Sequence, residues 1–191
     1  MEKTGETIKM CDMSSEISTK VFEMLNPDKV TVTKTSHSSS YSRVIFINDE
    51  VHSSDLLYPE GWVERFGYFT NCGNATGPMY ELAKIYEKGQ LVNELSIYVL
   101  MRIYCFGRPQ IMKNHIKLCD MPVVISAKIF ELLNPDKITI EETPLNHSFE
   151  IIYNANPEDL IYPEGWYYTQ GFFTNKYNST TTMYEKIAMH M

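Results

Sequence analysis

Apolar residues recur at helical spacing from Ser18 to Leu25 and again from Ser126 to Leu133. Val21, Phe22 and Leu25 stand at i, i+1 and i+4, and Ile129, Phe130 and Leu133 repeat the pattern. That spacing puts each trio on one side of a helix. Asn-Pro ends both segments, because proline drives the residue before it out of the αR region. The period then changes to two. Val30 and Val32 alternate with Thr31 and Thr33, and Ile138 and Ile140 with Thr139 and Glu141, the pattern of a half-buried strand. Short strands are predicted before the helices, at Ile8 to Met10 and Ile116 to Leu118. Two more are predicted after the alternating ones, at Val44 to Ile47 and Phe149 to Tyr153.

Tyr-Pro-Glu-Gly-Trp comes next in both places. Pro59 and Pro163 fix φ for a turn, and Gly61 and Gly165 can close a type I turn at its last position. Aromatic strands are expected at Tyr68 to Asn71 and Phe172 to Asn175. Helices are expected at Met79 to Lys88, with Pro78 near the first turn and Gly89 past the end, and at Met183 to His190. The joining stretch Leu91 to Phe106 is apolar and partly β-branched, and reads as helix or strand.

These elements come in pairs because the chain repeats itself. Ile8 to Thr33 and Ile116 to Glu141 are identical at sixteen of twenty-six aligned positions, and Asp55–Asn71 matches Asp159–Asn175. The first blocks are 108 residues apart and the second 104, so four residues are missing from the counterpart of Lys34 to Ser54. That segment contains Ser-His-Ser-Ser-Ser-Tyr-Ser, a polar loop signal, and surface loops tolerate such length changes. At the apolar positions of the helix and the alternating strand the exchanges between copies are Val for Ile and Met for Leu, near volume-conserving as a packed core requires. The repeat is bounded as copy one, 8–88, a connecting segment, 89–115, and copy two, 116–191. The fold class is α/β: tandem strand–helix–strand units in a degenerate leucine-rich-repeat-like solenoid. The unit spacing of twenty-two residues fits, but the L-x-x-L-x-L-x-x-N signature is missing. The alternative is two pseudo-symmetric α+β lobes.

The run Phe22-Glu-Met-Leu-Asn-Pro-Asp-Lys-Val-Thr-Val, followed by Trp62 to Asn71, and the same elements in copy two, resemble the FTH domain, the C-terminal region of nematode F-box proteins. The resemblance covers most of each copy. It implies a leucine-rich-repeat-like, F-box-associated region that recognises substrates for ubiquitin ligases, with no catalytic residues. Only about seven residues precede the first strand, so no F-box is expected within this chain.

Composition narrows the function. The chain has 191 residues, 43% of them hydrophobic and 21% charged, values of an ordinary globular protein. Its net charge of −7 argues against nucleic-acid phosphates as partner. Leu95 to Phe106 is too short to span a bilayer, and the N-terminus lacks the apolar core of a signal peptide. An intracellular, cytoplasmic location is expected. The four cysteines form no disulfide framework or C-x-x-C pair, and Cys11 and Cys119 read as small buried hydrophobes. The sequons at Asn74, Asn146 and Asn178 are then unmodified.

Candidate chemistry is sparse. No histidine has ligand spacing, so neither a metal nor a cofactor is expected. Gly73 to Gly77 reads as a plain loop. Glu60 and Glu164, set beside turns, invite comparison with a two-carboxylate glycosidase site, but turn positions take polar residues anyway. Asp12 and Asp120 suit turns or caps. The candidate partner-binding residues are Tyr58, Trp62, Tyr162 and Trp166, aromatic anchors in the duplicated motif; packing in the core is their competing role. The function expected is a non-enzymatic protein–protein interaction module of substrate-recognition type. The alternative is an enzyme or small-molecule-binding protein with its site between the copies, built from the unmatched Cys72, Arg102 and Cys105. The oligomeric state stays open, with pairing through strand edges a third possibility.

Overall fold

The computed structural model describes residues 5–34, 43–52, 55–65, 68–71, 82–87, 90–91, 114–143, 148–175 and 186–191. The helices form where the apolar spacing predicts them, each starting three residues earlier: α1, Ser15–Leu25, and α2, Val123–Leu133. Ser14 caps α1, its hydroxyl accepting from the Ile17 amide at 3.3 Å, whereas Pro122 gives α2 no side-chain cap. After each helix an Asn-Pro-Asp-Lys turn closes through Lys29 N donating to Asn26 O and Lys137 N to Asn134 O, both 3.1 Å. Asp28 and Asp136 take its third position with φ of 64° and 65°.

The remaining elements are strands. In the first half they are β1 (Glu6–Ile8), β2 (Val30–Lys34), β3 (Arg43–Ile47), β4 (Tyr58–Pro59), β5 (Val63–Arg65), β6 (Tyr68–Thr70), β7 (Leu82–Glu87) and β8 (Gln90–Leu91). In the second they are β9 (His115–Ile116), β10 (Ile138–Thr143), β11 (Ser148–Tyr153), β12 (Ile161–Pro163), β13 (Tyr167–Thr169), β14 (Phe172–Thr174) and β15 (Lys186–His190). The strands expected at Ile8 to Met10 and Ile116 to Leu118 end at Ile8 and Ile116. Met10–Asp12 and Leu118–Asp120 then form 3₁₀ turns.

The helices expected at Met79 to Lys88 and Met183 to His190 are strands over the described part, β7 and β15. Each lies inside its sheet, parallel to β3 or β11 on one side and antiparallel to β6 or β14 on the other. In Lys186–His190 burial alternates, with Ile187 and Met189 inside. Two buried positions at period two suit a central strand, and so short a segment offers no helical stripe. Residues 92–113, most of the joining segment, lie outside the described residues. Gln90–Leu91 within it pairs with β7.

The chain divides into two compact units. One is continuous, Met10–Ile116; the other joins Met1–Lys9 to Lys117–Met191. The continuous unit has the sheet β2-β3-β7-β6-β5, with β8 also on β7; the discontinuous unit has β10-β11-β15-β14-β13. Registers are equivalent: Val30 pairs with Ile47, and Ile138 with Tyr153. Among the described residues no strand pairs with its own counterpart in the other copy, as stacked leucine-rich repeats require. The observed architecture is mixed α/β, with few helices and several small sheets. The division also departs from copies bounded at 8–88 and 116–191, because each copy's leading strand belongs to the unit built on the other copy's body. β1 runs parallel to β12, and β9 runs parallel to β4.

The missing residues fall in two places. The offset is 138 − 30 = 108 at the first alternating strand, 153 − 47 = 106 after the hairpin and 160 − 56 = 104 at the buried leucines Leu56 and Leu160. Two residues are absent from each of two connections.

In each unit the helix packs on its neighbouring strands and meets the apolar face of the sheet. Phe130, Ile138, Ile151, Tyr162, Trp166 and Phe173 form the centre of one core. Phe22, Val30, Ile45, Tyr58, Trp62 and Phe69 are buried in the other. Two buried asparagines lock helix to loop. Asn26 donates to Phe22 O and Leu57 O and accepts from Leu57 N, each at 2.8 Å. Asn134 repeats this with Phe130 O, Ile161 O and Ile161 N, each at 2.8 Å. A buried amide with its donor and acceptor engaged stabilises the junction, and removing it orphans three backbone groups.

Candidate functional site

The duplicated Tyr-Pro-Glu-Gly-Trp motif is built from the backbone outward. Trp62 N donates to Pro59 O, and Trp166 N to Pro163 O, both at 3.0 Å. Gly61 and Gly165 hold the third position with φ of 89° and 90°. This is a type II turn with proline at its first position, not the expected type I turn with glycine at its fourth. A β-carbon on Gly61 would lie 2.5 Å from Cys11 Cβ, and one on Gly165 2.6 Å from Cys119 Cβ. Glycine is therefore required twice over, by backbone angle and by space. Cys11 and Cys119 are half-buried and outside any disulfide, less enclosed than expected. Their carbonyls accept from the Asn71 and Asn175 side chains.

The four aromatic candidates are interior. Tyr58 is 3% exposed, and Trp62, Tyr162 and Trp166 are 0% exposed. They end two stacks of four rings. Tyr58, Phe22, Phe69 and Trp62 follow one another at centroid distances of 4.9, 4.9 and 4.8 Å. Tyr162, Phe130, Phe173 and Trp166 follow at 4.7, 4.7 and 4.8 Å. Each indole N–H is satisfied internally, Trp62 donating to Met10 O at 2.8 Å and Trp166 to Leu118 O at 2.7 Å. Such rings have no surface left for a partner, so packing is their role. Tyr162 also donates to Pro157 O at 3.0 Å. Burial lifts its hydroxyl well above the ordinary tyrosine range, with Tyr153 and Tyr168 adding to the shift.

What the motif offers outward is backbone. Tyr58 N donates to Asn114 O at 2.8 Å, and Glu60 N to Ile116 O at 2.9 Å, so β4 receives β9. Glu164 N donates to Ile8 O at 2.9 Å, and β12 receives β1. Glu60 and Glu164 stand exposed on the turns. Asp12 and Asp120 close the 3₁₀ turns. Neither a family model nor a curated protein nor a solved structure matches this chain. Cys72, Arg102 and Cys105, and the asparagines of all three sequons, lie outside the described residues. Among the described residues no cluster of three His, Cys, Asp or Glu could hold a metal, and no helix is long and apolar enough to cross a membrane.

The other accessible features were not singled out by sequence reasoning. A depression of about 500 Å³ beside β1 is lined by Glu6, Lys137, Glu158 and Asp159, among others. On each sheet the side opposite the core carries large apolar groups: Phe46, 37% exposed, on one, and Ile152 and Phe172, each 36%, on the other. Lys186 Nζ sits 4.7 Å from the Phe172 ring centroid, and His190 Nε2 is 3.8 Å from Glu150 Oε1. The signal was present in the alternation, since Phe46 and Ile152 occupy the positions that period two leaves facing away from the core.

Proposed function

We propose that this chain is a non-enzymatic protein-binding module whose partners dock on the sheet faces opposite the cores. The observation carrying this reading is the contrast between the two faces. Most core-facing pairs keep their chemistry across the copies: Val32 and Ile140, Ile45 and Ile151, Phe22 and Phe130, Trp62 and Trp166, with Ile47 and Tyr153 the exception. Away from the core, Thr31 and Thr139 agree. Thr33 becomes Glu141 and Phe46 becomes Ile152; Val44 and Val63, on the same side but buried, become Glu150 and Tyr167. A duplicated scaffold with a retained interior and two diverged faces suits recognition of two different protein surfaces. The resemblance to the FTH region makes substrate recognition the favoured kind of binding.

A photo-crosslinking amino acid placed at Phe46, Ile152 or Phe172 tests this in cells. The expected result is a reproducible crosslinked protein at these sites, absent when the same group replaces Lys20 or Lys128 on the exposed helix surfaces. Equal labelling at sheet and helix positions would overturn the proposal.

A further inference from the structure

We infer that the Tyr-Pro strand β12 is a strand acceptor open to a second copy of this chain, and that copies associate by exchanging the segment Gly5–Ile8. The docking of this arm is mostly a backbone matter. Glu6, Thr7 and Ile8 pair with Ile161, Tyr162 and Pro163, and Glu164 N donates to Ile8 O at 2.9 Å. Glu6 and Thr7 are exposed and Ile8 only half-buried, so little apolar area holds the arm down. Lys9, where the chain leaves for the continuous unit, is exposed as well.

The same recognition occurs a second time. Ile116 O accepts from Glu60 N at 2.9 Å, as Ile8 O does from Glu164 N. Arms ending in Ile-Lys meet acceptors reading Tyr-Pro-Glu-Gly in both cases. Each acceptor therefore takes the leading strand of a copy other than its own. Chemistry selects the arm, and only covalent linkage selects which molecule supplies it. An arm from a second chain satisfies the same contacts without a new interface, which is the low-cost route to a swapped dimer. The linked arm has the advantage of a high effective concentration, about millimolar for a flexible tether. Exchange is therefore favoured when chains refold together at high concentration.

The test is refolding of the full chain from denaturant over a range of protein concentrations, followed by size-exclusion chromatography with light scattering. The expected result is a species of twice the single-chain mass whose share rises with refolding concentration. Gly5→Val should abolish it, because φ there is 71° and a β-carbon would lie 2.4 Å from Leu160 O. Ile8→Pro should do the same, because Ile8, whose carbonyl accepts from Glu164 N, turns its own amide toward β12 as well. Both variants should keep the near-ultraviolet signal of the buried tryptophans, since neither changes a core residue. Monomer alone at every concentration would overturn the inference. So would a dimer equally abundant in either folded variant.

Discussion

Asn134 shows how much can depend on one side chain. Its amide holds three backbone partners at the end of α2, so Asn134→Ala should cost about 2–4 kcal/mol, read as a lower urea midpoint. Gly165→Ala should cost about 1–3 kcal/mol from the backbone angle alone, before the contact with Cys119 is counted. Ser126 gives the opposite sign. Its hydroxyl is buried without a hydrogen-bond partner, and Ser126→Ala should leave stability unchanged or raise it by up to about 1 kcal/mol. Tyr162 sets a limit at high pH. Its pKa is raised in the folded chain, so the fold favours the neutral phenol. That stability is complete below the ordinary tyrosine value of 10.0 and is lost as pH rises beyond it. Fluorescence of the buried tryptophans should show unfolding that begins near there, and Tyr162→Phe should move the onset upward. At this scale the sequence was partly legible. Duplicated residues marked the tryptophans and turn glycines as special. Their burial was invisible because a motif shared by two copies suits an anchor and a core equally well. The role of the asparagines depends on a contact 27 to 31 residues away, which no local pattern encodes.

Elements were read well where period and length agreed. The helices and alternating strands stood out because each carries a full stripe or a full alternation, and the Asn-Pro stop fixed their junction. The last element of each copy was misjudged because a strand held between two others owes its conformation to its neighbours, and Leu82–Glu87 has no such partner in the sequence alone. Protection of the sheet margins was equally hidden. β2 and β10 end their sheets, and each has an amide covered from the helix: Val32 N donates to Glu23 Oε2 at 2.7 Å and Ile140 N to Glu131 Oε2 at 3.1 Å. An uncovered margin is a template for association. Glu23→Ala with Glu131→Ala should therefore raise light scattering on mild heating.

For the whole molecule, the doubling was plain from the sequence, and the assignment of leading strands was not, because the two arms match each other and either could serve either acceptor. The two tryptophans report one on each unit. With fluorotryptophan in both positions, Asn134→Ala should move the unfolding midpoint of the Trp166 ¹⁹F signal to lower urea and leave that of Trp62 in place. A common shift would mean that the units unfold as one. Pairing of Glu6 with Ile161 spans 155 residues of chain (161 − 6), against 57 for Tyr58 with His115 (115 − 58). On a ribosome, where residues emerge in order, Met10–Ile116 has its whole complement of strands while the second body is still being made. The first few residues must wait, unpaired, until almost the entire polypeptide has left the tunnel, so the earliest part synthesised is among the last to find its place.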